Sequence, residues 1–246
     1  MYLHADVVTV NGVAVIAVAD RETAGNLKVI RDYAIDVVGF YNSLLGFYPH
    51  PYIVIIPGAE PPTGGCPVDT GVIRIHGLGA LADKSPNYWK WLVAHEVAHM
   101  YWGYYVRDAE KTSWSQLGWL TIGLGMYLDK QFIEARSIDY RVHDSLVAAF
   151  RKAEKDGLEV AFGKTDNEIR RMSFDYNTIV LHGRSFAIVE EIEMHIGKTV
   201  FDQVFRAVLQ EYAYKEISFP LLREFIFKST GKDIGFIVRE YADMGV

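Results

Sequence analysis

The chain has 246 residues, 50% of them hydrophobic and 23% charged, so it can bury a substantial core and is not disordered. Its formal net charge of −6 argues against a nucleic-acid partner, and its single cysteine, Cys66, allows no intrachain disulfide framework. No apolar run reaches the roughly 18 residues of a membrane span, and the start Met1-Tyr2-Leu3-His4 lacks a basic-then-apolar leader, so a reducing, cytoplasmic location is expected.

Taken in order, Val7 to Val18 reads as a β-hairpin, with Asn11-Gly12 as a type I′ turn between two β-branched runs. From Asn26 to Leu45 apolar residues fall at 27, 30, 34, 37, 38, 41, 44 and 45, a helical stripe that Gly46 ends. Tyr52–Ile56 is a short apolar run closed by Pro57-Gly58 and reads as a buried strand. Gly58 to Thr70 is rich in Gly and Pro and is expected to be a loop, and Gly71–His76 alternates as another strand. Beyond residue 80 the pattern turns helical. Ser85 as N-cap with Pro86 at the first helical position launches a helix expected to run to Gly103. A charged loop over Arg107–Thr112 precedes a helix over Ser113–Ala135. Gly118, Gly123 and Gly125 lie inside it, which points to close helix–helix approach because a mid-helix glycine costs about 0.5–1 kcal/mol. Further helices are expected over Ile138–Lys155, Tyr176–His195, Thr199–Tyr214 and Ser218–Ser229, with a last one from Asp233. The expectation is one α+β domain over 1–246, a small mixed sheet lobe at about 1–80 and a helical lobe at about 85–246, with the Ser85 helix at the junction.

That helix carries His95-Glu96-Val97-Ala98-His99. Histidines four apart project from one face of a helix, one turn above the other, so neutral imidazoles there can grip one Zn²⁺ from the same side. Glu96 is placed to take a proton from an attacking water and later give it to a leaving amine. Trp91, Leu92, Val93, Ala94, Val97 and Ala98 make the helix apolar nearly all round, and a polar triplet in a buried helix needs partners.

On these residues the chain resembles the catalytic domain of the gluzincin aminopeptidases, the group of membrane alanyl aminopeptidase and leukotriene hydrolase. Phe47–Pro57 is similar to the family's segment before its substrate loop, His95–Gly103 to its metal helix, Trp119–Tyr127 to the following helix, and His182-Gly183 through Asp233 to its closing helices. The resemblance implies a thermolysin-like fold, zinc as cofactor with His95 and His99 as metal ligands, Glu96 as catalytic base, and a peptide as substrate or ligand. The family's flanking β-domain and C-terminal helical domain are absent, so the chain is a lone catalytic domain or part of a longer protein. The oligomeric state is left open.

Three positions depart from the family pattern. Ile122 stands where the family has its third zinc ligand, a glutamate, and the 22 residues between His99 and Ile122 exceed the family's spacing. Val68, in Gly65-Cys66-Pro67-Val68-Asp69, stands where a glutamate binds the substrate's amino terminus. Val180 stands at the transition-state tyrosine; Tyr176, one turn earlier on the same face, is a substitute substrate-binding residue or ordinary core. Asp108, Glu110 and Asp129 are candidates to complete the metal shell or solvated surface charges, while His143 and His182 read as hydrogen-bonded partners. Two functions remain: a zinc-dependent metallopeptidase with a modified site, or a peptidase-like domain without activity that binds peptides or a partner protein.

Overall fold

A computed structural model describes residues 4–19, 23–60, 63–111 and 117–239. The chain divides into two compact units, Met1–Tyr101 with Leu128–Tyr140, and Trp102–Tyr127 with Arg141–Val246.

The first unit is built on a five-stranded mixed sheet. Strands β1 (His4–Val10) and β2 (Val13–Ala19) form the expected antiparallel hairpin, and Asn11 and Gly12 take φ of 48° and 81°, both positive as a type I′ turn requires. Helix α1 (Ala24–Leu45) then carries the chain over the sheet, and its stripe of Leu27, Ile30, Ala34, Val37, Val38 and Tyr41 is wholly buried. Gly46 ends it in the left-handed conformation at φ 84°. Strand β3 (Tyr52–Pro57) lies parallel to β2, and β5 (Val72–His76) parallel to β3. Ile53, Ile55, Ile73 and Ile75 point into the core beneath α1 with no exposure.

The expected loop over 58–70 is in part a strand. β4 (Gly64–Asp69) pairs antiparallel with β5 and gives the sheet order β1-β2-β3-β5-β4. It is an edge strand, where Gly and Pro67 are tolerated because one side needs no donors, and it carries an irregularity between Pro67 and Asp69. Residues 61 and 62 of that stretch lie outside the described residues.

Helix α2 (Pro86–Ala98) starts as expected: Ser85 Oγ accepts from the Tyr88 amide at 3.2 Å and Pro86 holds the first turn. It ends at Ala98 rather than Gly103, with His99 still in αR backbone geometry at φ −64°. The Tyr41 hydroxyl of α1 donates to the Ala94 carbonyl at 3.0 Å and ties α1 to α2. The last residues of this unit come from the second half of α3 (Trp119–Ala135), where Phe132 joins an edge-on cluster with Phe40 and Tyr41.

In the second unit, β6 (Arg107–Asp108) and β7 (Glu216–Ile217) form a short parallel pair, so part of the expected charged loop is also strand. The first half of α3 begins at Trp119, not Ser113. Leu117 and Gly118 precede it outside the helix, and 112–116 lie outside the described residues. Gly123 does mark a close approach, since a Cβ there would sit 2.7 Å from the Ser185 carbonyl oxygen. Gly118 serves a different purpose: it packs on the Asp108 carboxylate, where a Cβ would meet Cγ at 2.4 Å. Helix α4 (Val142–Lys155) starts four residues later than expected, and α5 (Asp166–Ile169) is a single capped turn. A π-helical stretch over Asn177–Arg184 runs straight into α6 (Ser185–Ile196). Helices α7 (Lys198–Glu211) and α8 (Phe219–Thr230) follow, and the helix expected from Asp233 is one 3₁₀ turn, Gly235–Ile237. Phe186, Val189, Ile192, Phe201, Phe205, Phe219 and Ile226 make the core of this unit.

Candidate metal and catalytic site

His95, Glu96 and His99 lie on and just past the last turn of α2, exposed by only 4%, 3% and 2%. The helix is buried on all sides here, as its composition predicts; Leu92, Val93, Ala94, Val97 and Ala98 are all in the core. The four-residue spacing brings the two imidazoles together, ring centroids 4.6 Å apart and Nε2 to Nε2 at 3.1 Å. Two nitrogens bound tetrahedrally to one zinc at about 2.0–2.1 Å stand roughly 3.3 Å apart, so the pair fits one metal ion with little movement.

The nitrogen that faces the metal position is set from behind. His95 Nδ1 lies 2.8 Å from Asp129 Oδ2, and the Asp129 side chain has no exposure at all. Asp129 accepts the Nδ1 proton and leaves Nε2 with its lone pair. Burial disfavours charge on His95, but the hydrogen bond from Asp129 and the charges of Asp129 and Glu96 outweigh it and leave the imidazole pKa raised.

Glu96 is placed differently. Its Oε2 is buried with no hydrogen-bond partner among the described residues. Burial pushes its pKa up to about 7; nearby His95 opposes the shift and Asp129 adds to it. An unpaired carboxylate oxygen in the core costs free energy and is retained where it has work to do or a missing partner to meet. The carboxylate is held from β4: a Cβ on Gly65 would lie 2.7 Å from both Glu96 Cγ and Oε1, so only glycine admits this rotamer.

The other residues singled out in the sequence are committed elsewhere. Asp108 caps α3, accepting from the Glu110 amide at 2.8 Å and the Thr121 amide at 3.0 Å. Glu110 Oε2 accepts from Trp119 Nε1 at 3.0 Å. His182 Nδ1 lies 2.8 Å from the Asn177 carbonyl, and His143 packs its ring on Phe186 at 4.9 Å. The Tyr176 hydroxyl donates to the Ala161 carbonyl at 2.9 Å, and its side chain is 3% exposed. Ile122 is buried, with no atom that can ligate. Val68 stands in the edge strand β4 at 41% exposure. Among the described residues no third His, Cys, Asp or Glu groups with His95 and His99 as a ready cation site. The residues present therefore fit two of the three protein ligands that a catalytic zinc normally has. Sequence reasoning missed Asp129 as the residue that orients His95 and Gly65 as the seat of Glu96. The first had a signal in the sequence, a lone acid among apolar neighbours in Met126-Tyr127-Leu128-Asp129.

A mixed five-stranded sheet followed by helices, with a buried His-Glu-x-x-His helix against the sheet's edge strand, is the make-up of a peptidase-like α+β domain. The chain belongs to peptidase family M1, whose domain model matches residues 80–241. No curated protein matches it. Among solved structures it is similar to a point mutant of an M1 zinc metallopeptidase from Deinococcus radiodurans bound to a Tyr-Ser-Ala substrate, with a TM-score of 0.64 at 13% identity. The match covers 97% of this chain and 52% of that one, so the chain spans about half the length of that structure, and the likeness speaks for the fold. No described helix is long and apolar enough to cross a membrane.

Proposed function

We propose that the domain is a metallopeptidase in which His95 and His99 hold zinc through their Nε2 atoms and Glu96 is the general base. The observation that carries this reading is the pairing of two Nε2 atoms 3.1 Å apart with a buried, unpartnered Glu96 oxygen one residue along. When bound, zinc supplies a Lewis acid for the scissile carbonyl and for the attacking water. Glu96 takes the proton of that water and returns it to the departing amine, and a carboxyl with a pKa of about 7 is poised for both transfers near neutral pH. Asp129 holds the His95 ring in the ligating tautomer. Tyr176 takes no proton-transfer step, because its hydroxyl proton already goes to the Ala161 carbonyl.

Ile122 and Val68 shape the expected activity. With no anionic third ligand among the described residues, zinc is held weakly. With valine at 68, nothing at that position pairs with a substrate's ammonium group, so a free amino terminus is not demanded. The same shortage of ligands supports the other reading, a binding domain without turnover. Hydrolysis of amino-blocked and free quenched peptides, with zinc in the buffer, separates them. The metallopeptidase cleaves both, and Glu96→Gln lowers the rate by about 10²–10⁴-fold with zinc binding retained. No cleavage by the zinc-loaded wild type leaves the binding-domain reading.

A further inference from the structure

The second unit contains a cavity of about 560 Å³, within the range that encloses a small organic ligand. Its lining includes an apolar wall in which Trp119 and Phe162 stack at 4.4 Å with their rings 12° apart, backed by Leu181 and the ring of Tyr176. The same lining carries three cations, Lys111, Lys164 and Arg170, against two acids, Glu110 and Asp166. Most of these charges are engaged. Lys111 pairs with Glu216 at 3.0 Å, Lys164 pairs with Glu159, and Glu110 holds the Trp119 indole N–H. The Arg170 side chain has no hydrogen-bond or ion-pair partner among the described residues. A free guanidinium presents a planar fork that matches a carboxylate. With Lys111 and Lys164 each neutralised by a glutamate, Arg170 is the cation of this lining left to meet a carboxylate. The two acids on the same lining disfavour a second negative charge on the ligand.

We propose that this cavity binds a small monocarboxylate with an apolar side chain, the side chain against Trp119, Phe162 and Leu181 and the carboxylate on Arg170. None of these residues belongs to the metal site, so the inference stands apart from the peptidase reading and survives its failure.

The test uses the whole chain without added metal, titrated with N-acetylphenylalanine and with its uncharged carboxamide, followed by heteronuclear NMR. The acid is expected to saturate, and the amide to bind about tenfold more weakly, as loss of a charge-assisted hydrogen bond implies. Arg170→Gln, an exposed substitution, is expected to leave the melting curve unchanged, to reduce acid affinity by a similar factor and to leave the amide alone. Equal binding of acid and amide, no saturable shift with either, or full acid affinity in Arg170→Gln overturns the proposal.

Discussion

Asp129 and His95 form a buried pair, Oδ2 to Nδ1 at 2.8 Å, with side chains 0% and 5% exposed. The contact joins the middle of α3 to the last turn of α2, both within the first unit. It fixes which imidazole nitrogen is free. Asp129→Asn keeps the size and removes the charge that holds the proton on Nδ1. Zinc affinity is expected to fall by about 10–100-fold, the usual effect of losing a partner behind a ligating histidine. Calorimetric titration of both proteins checks this; equal affinities would mean that the pair orients nothing.

Glu96 makes the metal-free protein pH-sensitive. Its folded-state pKa, about 7, lies above the ordinary 4.5, so between those values the folded chain binds the proton more tightly than the unfolded one. Stability is therefore fully present below about pH 4.5 and is lost as pH rises to about 7, by at most about 3 kcal/mol. Glu96→Gln has no charge to bury and escapes that loss. In a chelator, the melting temperature of Glu96→Gln should exceed that of wild type by a margin that widens from pH 5 to pH 8. A margin independent of pH would show that the Glu96 carboxylate is better solvated than its burial implies.

Gly65→Ala places a methyl group 2.7 Å from Glu96 Cγ and Oε1, closer than two carbons or a carbon and an oxygen can sit. Overpacking of this kind costs about 1–3 kcal/mol, and the carboxylate is the group able to move. Peptide hydrolysis should fall while zinc affinity stays near that of wild type, because the three atoms nearest the added methyl all belong to Glu96. Unchanged turnover together with an unchanged urea midpoint would mean that β4 yields without disturbing Glu96.

The helix that carries the site was legible because each signal in it is local. Ser85-Pro86 starts it, and the four-residue spacing of His95 and His99 decides which face they share. The hairpin at Asn11-Gly12 and the stripe of α1 were legible for the same reason. What the sequence concealed depends on partners distant in the chain. β4 reads as a loop because Gly64, Gly65 and Pro67 are poor strand formers, and it becomes a strand because β5 offers an edge to pair with. The end of α2 at Ala98 has no glycine or proline to announce it before Gly103. Asp129 read as a metal ligand or a surface charge, and its contact with His95, 34 residues away, makes it neither: it orients the imidazole. Gly118 looked like a loosened helix and is instead the space that the capping Asp108 carboxylate needs.

Zinc uptake by the purified chain tests the two-histidine site most directly. Elemental analysis before and after equilibrium dialysis against zinc, on wild type and His99→Ala, gives the answer. Less than one zinc per chain as purified, one after loading, ready loss to a mild chelator and no uptake by His99→Ala is the result that follows from His95 and His99 without an anionic third ligand. One zinc per chain that survives the chelator, or full uptake by His99→Ala, would contradict it.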